Sequence, residues 1–412
     1  MLSMSVPKTT PPRTGVRACA AHRQSASGFA TAVSLHAHTH HSQEVLADFP
    51  SYIARIPVVA GFFEREMRAY SQRNGLTADF RKGWWNPPLS PAEVYESELA
   101  QIQASLGLAP LVSISDHGNI DAGLELQAQH GAGVPLSLEW TVPFEEGFFH
   151  LGIHNLPAGA SRDLFDSLTA YSRADSARHL ADLLDTLNAA RETLIVLNHP
   201  LWDLASLGSA AHERLLRRFL AEHGDRLHGL ELNGYRSWRE NDVVRALAAD
   251  AGVCAVAGGD RHGCAPNALL NLTNASSFGE FVQEIRGEGI SEIVVMPGYR
   301  ERLAARKLAV AADVLRPNPA ALRGHWTDRV SCEWRGVVRP LAHHWPGGGP
   351  LWVRATIRAF QAATSRRMMP ILRLCLPRDE QPALGRHTPL GTPAGSLAAA
   401  ADGGPRESQV SA

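Results

Sequence analysis

The chain has 412 residues, 44% of them hydrophobic and 20% charged, with a formal net charge of −1. This is ordinary globular composition, enough for one large core or two modest ones, and bulk charge names no partner. No apolar run approaches the length of a membrane span. The five scattered cysteines form no C-x-x-C pair. That argues against a disulfide framework or a zinc ribbon and for a reducing, cytoplasmic setting.

Charge is unevenly spread. Residues 1–43 hold Lys8, Arg13, Arg17 and Arg23 and no acid, and from Arg316 onward there are thirteen Arg against six acids. The middle, 44–315, therefore carries 23 basic and 35 acidic residues. An acidic middle rich in histidine suits cations better than direct binding of nucleic acid.

In chain order, residues 1–30 read as a disordered leader lacking the apolar segment of a secretory signal. A buried strand is expected over 31–35, ending at His36. Residues 45–90 look like an insertion. A helix opens at Ser90, with Pro91 in its first turn, and runs to Leu106. Strands are then expected at 110–115, 134–142, 194–197, 230–232, 253–257 and 292–296, with a hairpin-like return at 147–154. Helices fall between them at 121–130, 162–190 (one long helix), 210–223, 239–250, 278–288 and 299–315. The alternation predicts a mostly parallel sheet, and seven or so units fit a closed β/α barrel over 31–318. No G-x-G-x-x-G or P-loop occurs, which weakens a nucleotide-binding reading. Residues 320–375 read as a small β-rich appendage, with a hairpin over 328–341 and a strand at 351–357. Residues 376–412, dominated by Pro, Gly, Ala and Ser, read as a disordered tail.

Polar residues punctuate the C-terminal ends of the apolar strands, where a β/α barrel places its active site. The first strand delivers His36-Ala37-His38, on one face of an extended chain and able to grip one cation. Next come Ser115-Asp116-His117, Leu138-Glu139, Phe149-His150-Leu151, Asn198-His199-Pro200, Glu231 with Asn233, and Gly259-Asp260-Arg261-His262. A lone histidine on a strand is usually a core or surface residue; six successive strand ends are not explained that way. Imidazoles with carboxylates suit Zn, Mn or Fe better than Ca or Mg. Six histidines plus Glu139 and Asp260 exceed what one ion takes, so two or three divalent ions are expected. Clustered ions bind phosphoryl oxygens and lower the pKa of a bound water.

These motifs together resemble the PHP (polymerase and histidinol phosphatase) superfamily over about residues 33–265. The resemblance implies a distorted (β/α)7 TIM-like barrel and hydrolysis of phosphoesters with two or three ions. It implies that His36, His38, Glu139 and Asp260 hold one ion, that Glu139 bridges to a second held by His150 and His199, and that His117 and His262 hold a third. Asp116 is expected to orient a neighbour. Many relatives have Asp where this chain has Gln43, and some use a His one place later, at Glu44; Glu44 is therefore the candidate ligand of the third ion. His40 and His41 are spare candidates, and His154 reads as a loop residue. Arg261, between two ligands, and Arg236 are candidates for contact with phosphate.

The expected substrate is a small phosphorylated molecule or a nucleic-acid end, with no membrane and no obligate protein partner. Two alternatives stand beside this. An amidohydrolase-type C–N hydrolase also begins with His-x-His, but wants a bridging Lys that no strand end supplies. A non-catalytic barrel is motivated by Gln43.

Overall fold

The computed structural model describes residues 11–18, 26–47, 49–54, 57–174, 179–317, 324–365 and 367–376. Its strands form three separate sheets. The first has the order Arg13–Ala18, Ile290–Val295, Leu269–Thr273, Thr31–Ser34, Ala109–Val112. The second runs Cys254–Gly258, Gly229–Asn233, Leu194–Asn198, Gly147–His154, Leu138–Phe144. A third joins Val337–Pro340, Val330–Trp334, Gly83–Trp85 and Glu44–Val45.

None of the three sheets closes on itself, so the expected TIM-like barrel is corrected to a mixed α/β architecture. The physical reason lies in two places. Leu269–Thr273 runs antiparallel to both neighbours, and Gly147–His154 does the same in the second sheet, so neither sheet is the parallel array that repeated β/α units give. Between the sheets, side chains supplement a few backbone hydrogen bonds at the strand ends. The Asn271 amide accepts from Ala257 N at 2.8 Å and donates to Ala257 O at 2.9 Å, and the Thr14 hydroxyl accepts from Ala255 N at 2.9 Å. Among the described residues, isolated bridges of Ala37 with Arg261 and His117 with Glu139 join the strand-end loops, with a few backbone hydrogen bonds such as Gly259 N to Leu35 O at 2.9 Å.

The elements follow local chemistry. Helix Pro91–Leu106 has Ser90 as its N-cap in a capping box with Glu93, and ends at Gly107 in the left-handed conformation. It buries Val94, Glu98, Ile102 and Leu106, spaced by four residues along one face. The expected helix over 162–190 is two helices, Ser161–Ser172 and Leu180–Ala189. Both pack Leu164, Leu168, Leu183, Leu184 and Leu187 into the largest core cluster, against Trp140, Leu151 and Leu197 of the second sheet. No described helix is long and apolar enough to cross a membrane.

Three further expectations are revised. Arg13–Ala18, placed in a disordered leader, is a strand parallel to Ile290–Val295, tied to it by an Arg17–Glu292 ion pair at 3.0 Å. The strand expected at 351–357 is helix Leu351–Ala363, so the C-terminal appendage is largely helical, with one hairpin. Val353, Ile357 and Phe360 recur at helical spacing, which outweighs the local alternation. The insertion and that hairpin are not independent: Val330 to Cys332 pair with Gly83 to Trp85, and Glu44 and Val45 pair with Trp85 and Trp84. The tail beyond Leu376 lies outside the described residues.

Candidate metal centre

Three strand ends turn sharply where the candidate ligands begin. His36, His199 and Asp260 have φ of 61°, 30° and 52°, a left-handed backbone that is costly for residues with a Cβ. The turn carries His36 away from the extended geometry expected of His36-Ala37-His38, and brings its Nε2 to 3.1 Å from His38 Nε2.

Glu139 is the hub. Its Oε2 lies 3.0 Å from His36 Nε2, 3.3 Å from His38 Nε2 and 3.0 Å from His117 Nε2. Its Oε1 lies 3.1 Å from His199 Nε2 and 3.3 Å from His150 Nδ1, and accepts from Asn198 Nδ2 at 2.9 Å. Asp260 Oδ1 stands 3.5 Å from Nε2 of both His36 and His38. Ligand atoms of His36, His38, Glu139 and Asp260 all lie within 4.8 Å of one another, as do those of His117, Glu139 and His150.

Glu44 falls inside the cluster. Its Oε2 is 3.1 Å from His262 Nε2 and 3.7 Å from His117 Nε2, and Oε1 is 3.8 Å from His38 Nδ1. His38, Glu44 and His262 form a third grouping of the same compactness. Pairing of Glu44 with Trp85 fixes it there, while Gln43, one residue earlier, points the other way and is exposed.

The charge balance fits cations. Burial alone would lower His36, yet Glu139 and Glu231 lift it well above the usual imidazole range. Burial likewise opposes protonation of His38, and Glu44, Asp260 and Glu139 raise it to about 10. Burial opposes ionisation of Glu139 and Asp260, and the surrounding imidazoles hold both well below the carboxylate range. His117, by contrast, is held down to about 4 by burial. The pocket thus demands positive charge while keeping the His117 imidazole neutral. The Nδ1 of His150, buried and facing Glu139 without a hydrogen bond, adds an open donor atom. Imidazole and carboxylate donors of this kind fit divalent Zn, Mn or Fe.

Glu231, noted in the sequence beside Asn233 but given no role there, sits in the middle of an apolar strand. Its Oε1 lies 2.5 Å from His36 Nδ1, and its Oε2 accepts from His199 N and Asn233 Nδ2, each at 2.8 Å. A Cβ on Gly258 would fall 1.8 Å from Glu231 Oε1, and one on Gly259 would fall 1.7 Å from Asn267 Oδ1. The two glycines before Asp260 therefore admit the side chains behind the site.

The expected role of Arg261 is corrected by geometry. The Arg261 guanidinium is buried away from the cluster, paired with Glu98 at 2.7 Å and donating to Ser97 Oγ, Gly263 O and Cys264 O, so it is engaged in the protein interior instead of facing the ligands. Asp116, expected to orient a neighbour, accepts from both Thr39 N and Thr39 Oγ1 at 2.6 Å, and so positions the loop after His38. His154 is no loop residue: it ends strand Gly147–His154, fully buried, with Nδ1 2.8 Å from the Ser113 hydroxyl. Arg236 lies closer to the expected place. Its guanidinium stacks 4.0 Å above Trp202, whose ring is 5.2 Å from that of His199, and its Nη2 is buried without a hydrogen-bond partner.

No family model matches the sequence, and no curated protein does. Solved structures show distant likeness. PsfC from Pseudomonas syringae is 14% identical, over 51% of this chain and 86% of its own, with a TM-score of 0.36. An amidohydrolase from Chromobacterium violaceum, with bound sulfate and no metal, is 17% identical over 56% and 87%, with a TM-score of 0.30. A Bifidobacterium adolescentis protein whose name proposes a metal-dependent phosphoesterase is 16% identical over 48% and 91%, with a TM-score of 0.29. At such scores these likenesses carry no argument about chemistry.

Proposed function

We propose that the chain is a metal-dependent hydrolase of phosphoesters, acting on a small phosphomonoester, a nucleotide or a nucleic-acid end. The observation that carries this reading is Glu139, one buried carboxylate whose two oxygens face imidazoles on opposite sides. His36, His38, Glu139 and Asp260 would hold one ion, His150 and His199 with Glu139 a second, and His117, His262 and Glu44 a third. Bound divalent ions supply a water of lowered pKa and neutralise charge on phosphoryl oxygens.

The protein's own residues do the rest. Glu231 holds His36 so that Nε2 faces the centre. Asn198 fixes Glu139, and Asn233 reaches both Glu231 and Asp260 Oδ2, the latter at 3.3 Å. Arg236, flat against Trp202 beside His199, offers its buried Nη2 to an anionic oxygen of the substrate. Glu139 in the bridging place, in a chain whose three lysines are Lys8, Lys82 and Lys307, favours this chemistry over an amidohydrolase with a bridging Lys.

The test is a panel of phosphate monoesters, diesters and amides, assayed with full-length protein reloaded separately with Mn, Zn and Fe. Phosphate ester turnover that disappears in His38→Ala is expected. Metal-replete protein that cleaves no phosphate ester overturns the reading, and turnover of amides alone moves it to C–N hydrolysis.

A further inference from the structure

Outside this centre, His40, His41 and Glu125 bring one ligand atom each to within 4.8 Å of one another. We propose that these three residues form a separate site for a divalent cation of the zinc class, on the rim of the cavity beside the main cluster.

The ligands are presented by fixed backbone. His40 N donates to Leu89 O at 2.8 Å, His41 N donates to Thr39 Oγ1 at 3.2 Å, and His41 O accepts from Asn119 Nδ2 at 2.8 Å. Thr39 is itself held by buried Asp116, which gives that carboxylate a purpose the main centre does not use. Glu125 comes from helix Asp121–His130 and meets His41 Nε2 at 2.7 Å. The His40 and His41 rings are 4.5 Å apart and nearly perpendicular.

Two imidazoles and a carboxylate match the donor set of three-ligand zinc sites, which keep a fourth position open. Both histidines line a cavity of about 560 Å³ that Trp84, Asn119, Arg162 and Phe165 also line. The open position therefore faces a space large enough for a small organic ligand, and a cation there takes water or an anionic oxygen of whatever occupies it. This site does not depend on the phosphoesterase reading.

The experiment uses full-length protein stripped with chelator and dialysed against a series of buffered free Zn²⁺ concentrations, with zinc per chain measured at each. Glu125→Gln and His41→Ala are each expected to remove one zinc equivalent, or weaken one binding step about tenfold or more, and to remove one component of the tetrahedral Co²⁺ spectrum. His130→Ala, on the same helix, should match the wild type. Wild-type stoichiometry and spectrum in Glu125→Gln, a surface change that leaves the helix intact, overturn the proposal and leave a surface ion pair. Because the readout is the difference of one equivalent between variants, an empty main cluster does not obscure it.

Discussion

Glu231 Oε1 lies 2.5 Å from His36 Nδ1, while Glu231 Oε2 receives the backbone N–H of His199. One carboxylate thereby fixes the ring that faces the centre after strand Thr31–Ser34 and the backbone turn that delivers the imidazole after strand Leu194–Asn198. Glu231→Gln keeps the shape but weakens the first contact. Metal affinity is expected to fall about 10–100-fold, measured by competition with a chromophoric chelator, with the far-UV spectrum unchanged. An unchanged affinity would refute this role.

Gly258→Ala should mimic that loss from behind. The new methyl group would overlap Glu231 Oε1 and push the carboxylate off His36. The expected result is the metal-affinity defect of Glu231→Gln plus a destabilisation of about 1–3 kcal/mol from overpacking. In Gly258→Ala/Glu231→Gln the affinity losses should not add, since both act on one contact.

Arg261 and Glu98 form a buried ion pair at 2.7 Å, with side-chain exposures of 1% and 0%. Arg261→Ala leaves Glu98 charged and without its counter-charge, held only by Ser34 Oγ and Asn267 N, at a cost of about 3–5 kcal/mol in urea unfolding. Adding Glu98→Gln should recover part of that loss. Were Arg261 instead a substrate contact, Arg261→Ala would raise KM at unchanged stability.

The metal-free protein should be most stable near pH 6.5. His154 is pushed down to about 3, by burial first and by nearby His36 second. Between pH 6.5 and 3 the unfolded chain therefore binds a proton that the native state refuses, and stability falls on acidification by up to about 1.4 kcal/mol per pH unit for that group. His38 works on the other side. Raised to about 10, it contributes stability that is fully present below pH 6.5 and is lost as pH rises through 10. Urea unfolding of chelator-stripped protein across pH 4–9 tests both limbs, and His154→Gln should make only the acid one shallower, with the share of His117, held down to about 4, remaining.

Much of the centre was legible because its ligands interrupt apolar runs: a histidine or acid just past the end of an apolar strand is conspicuous at His36, His199 and Asp260. Helix Pro91–Leu106 was legible from Ser90, Pro91 and Glu93 for the same local reason. Glu231 was harder to interpret, since an acid flanked by Leu230 and Leu232 shows its purpose only when His36, distant in sequence, packs against it. Strand Leu269–Thr273 was hidden by Asn271, which looks like a turn former but spends its amide on Ala257. Which strands pair, and whether a sheet closes, depends on such long-range contacts and not on local alternation. Arg261 misled because its neighbours in sequence are ligands while its neighbours in space are Glu98 and Ser97.

The left-handed turns at His36, His199 and Asp260 impose a trade-off on the protein's history. Each costs about 1–2 kcal/mol that glycine would recover. A population selected in the laboratory for thermal resistance alone, with no demand for activity, would drift toward glycine or asparagine at these positions. Their retention under ordinary selection would show that the chain is kept for its chemistry and not merely for its fold.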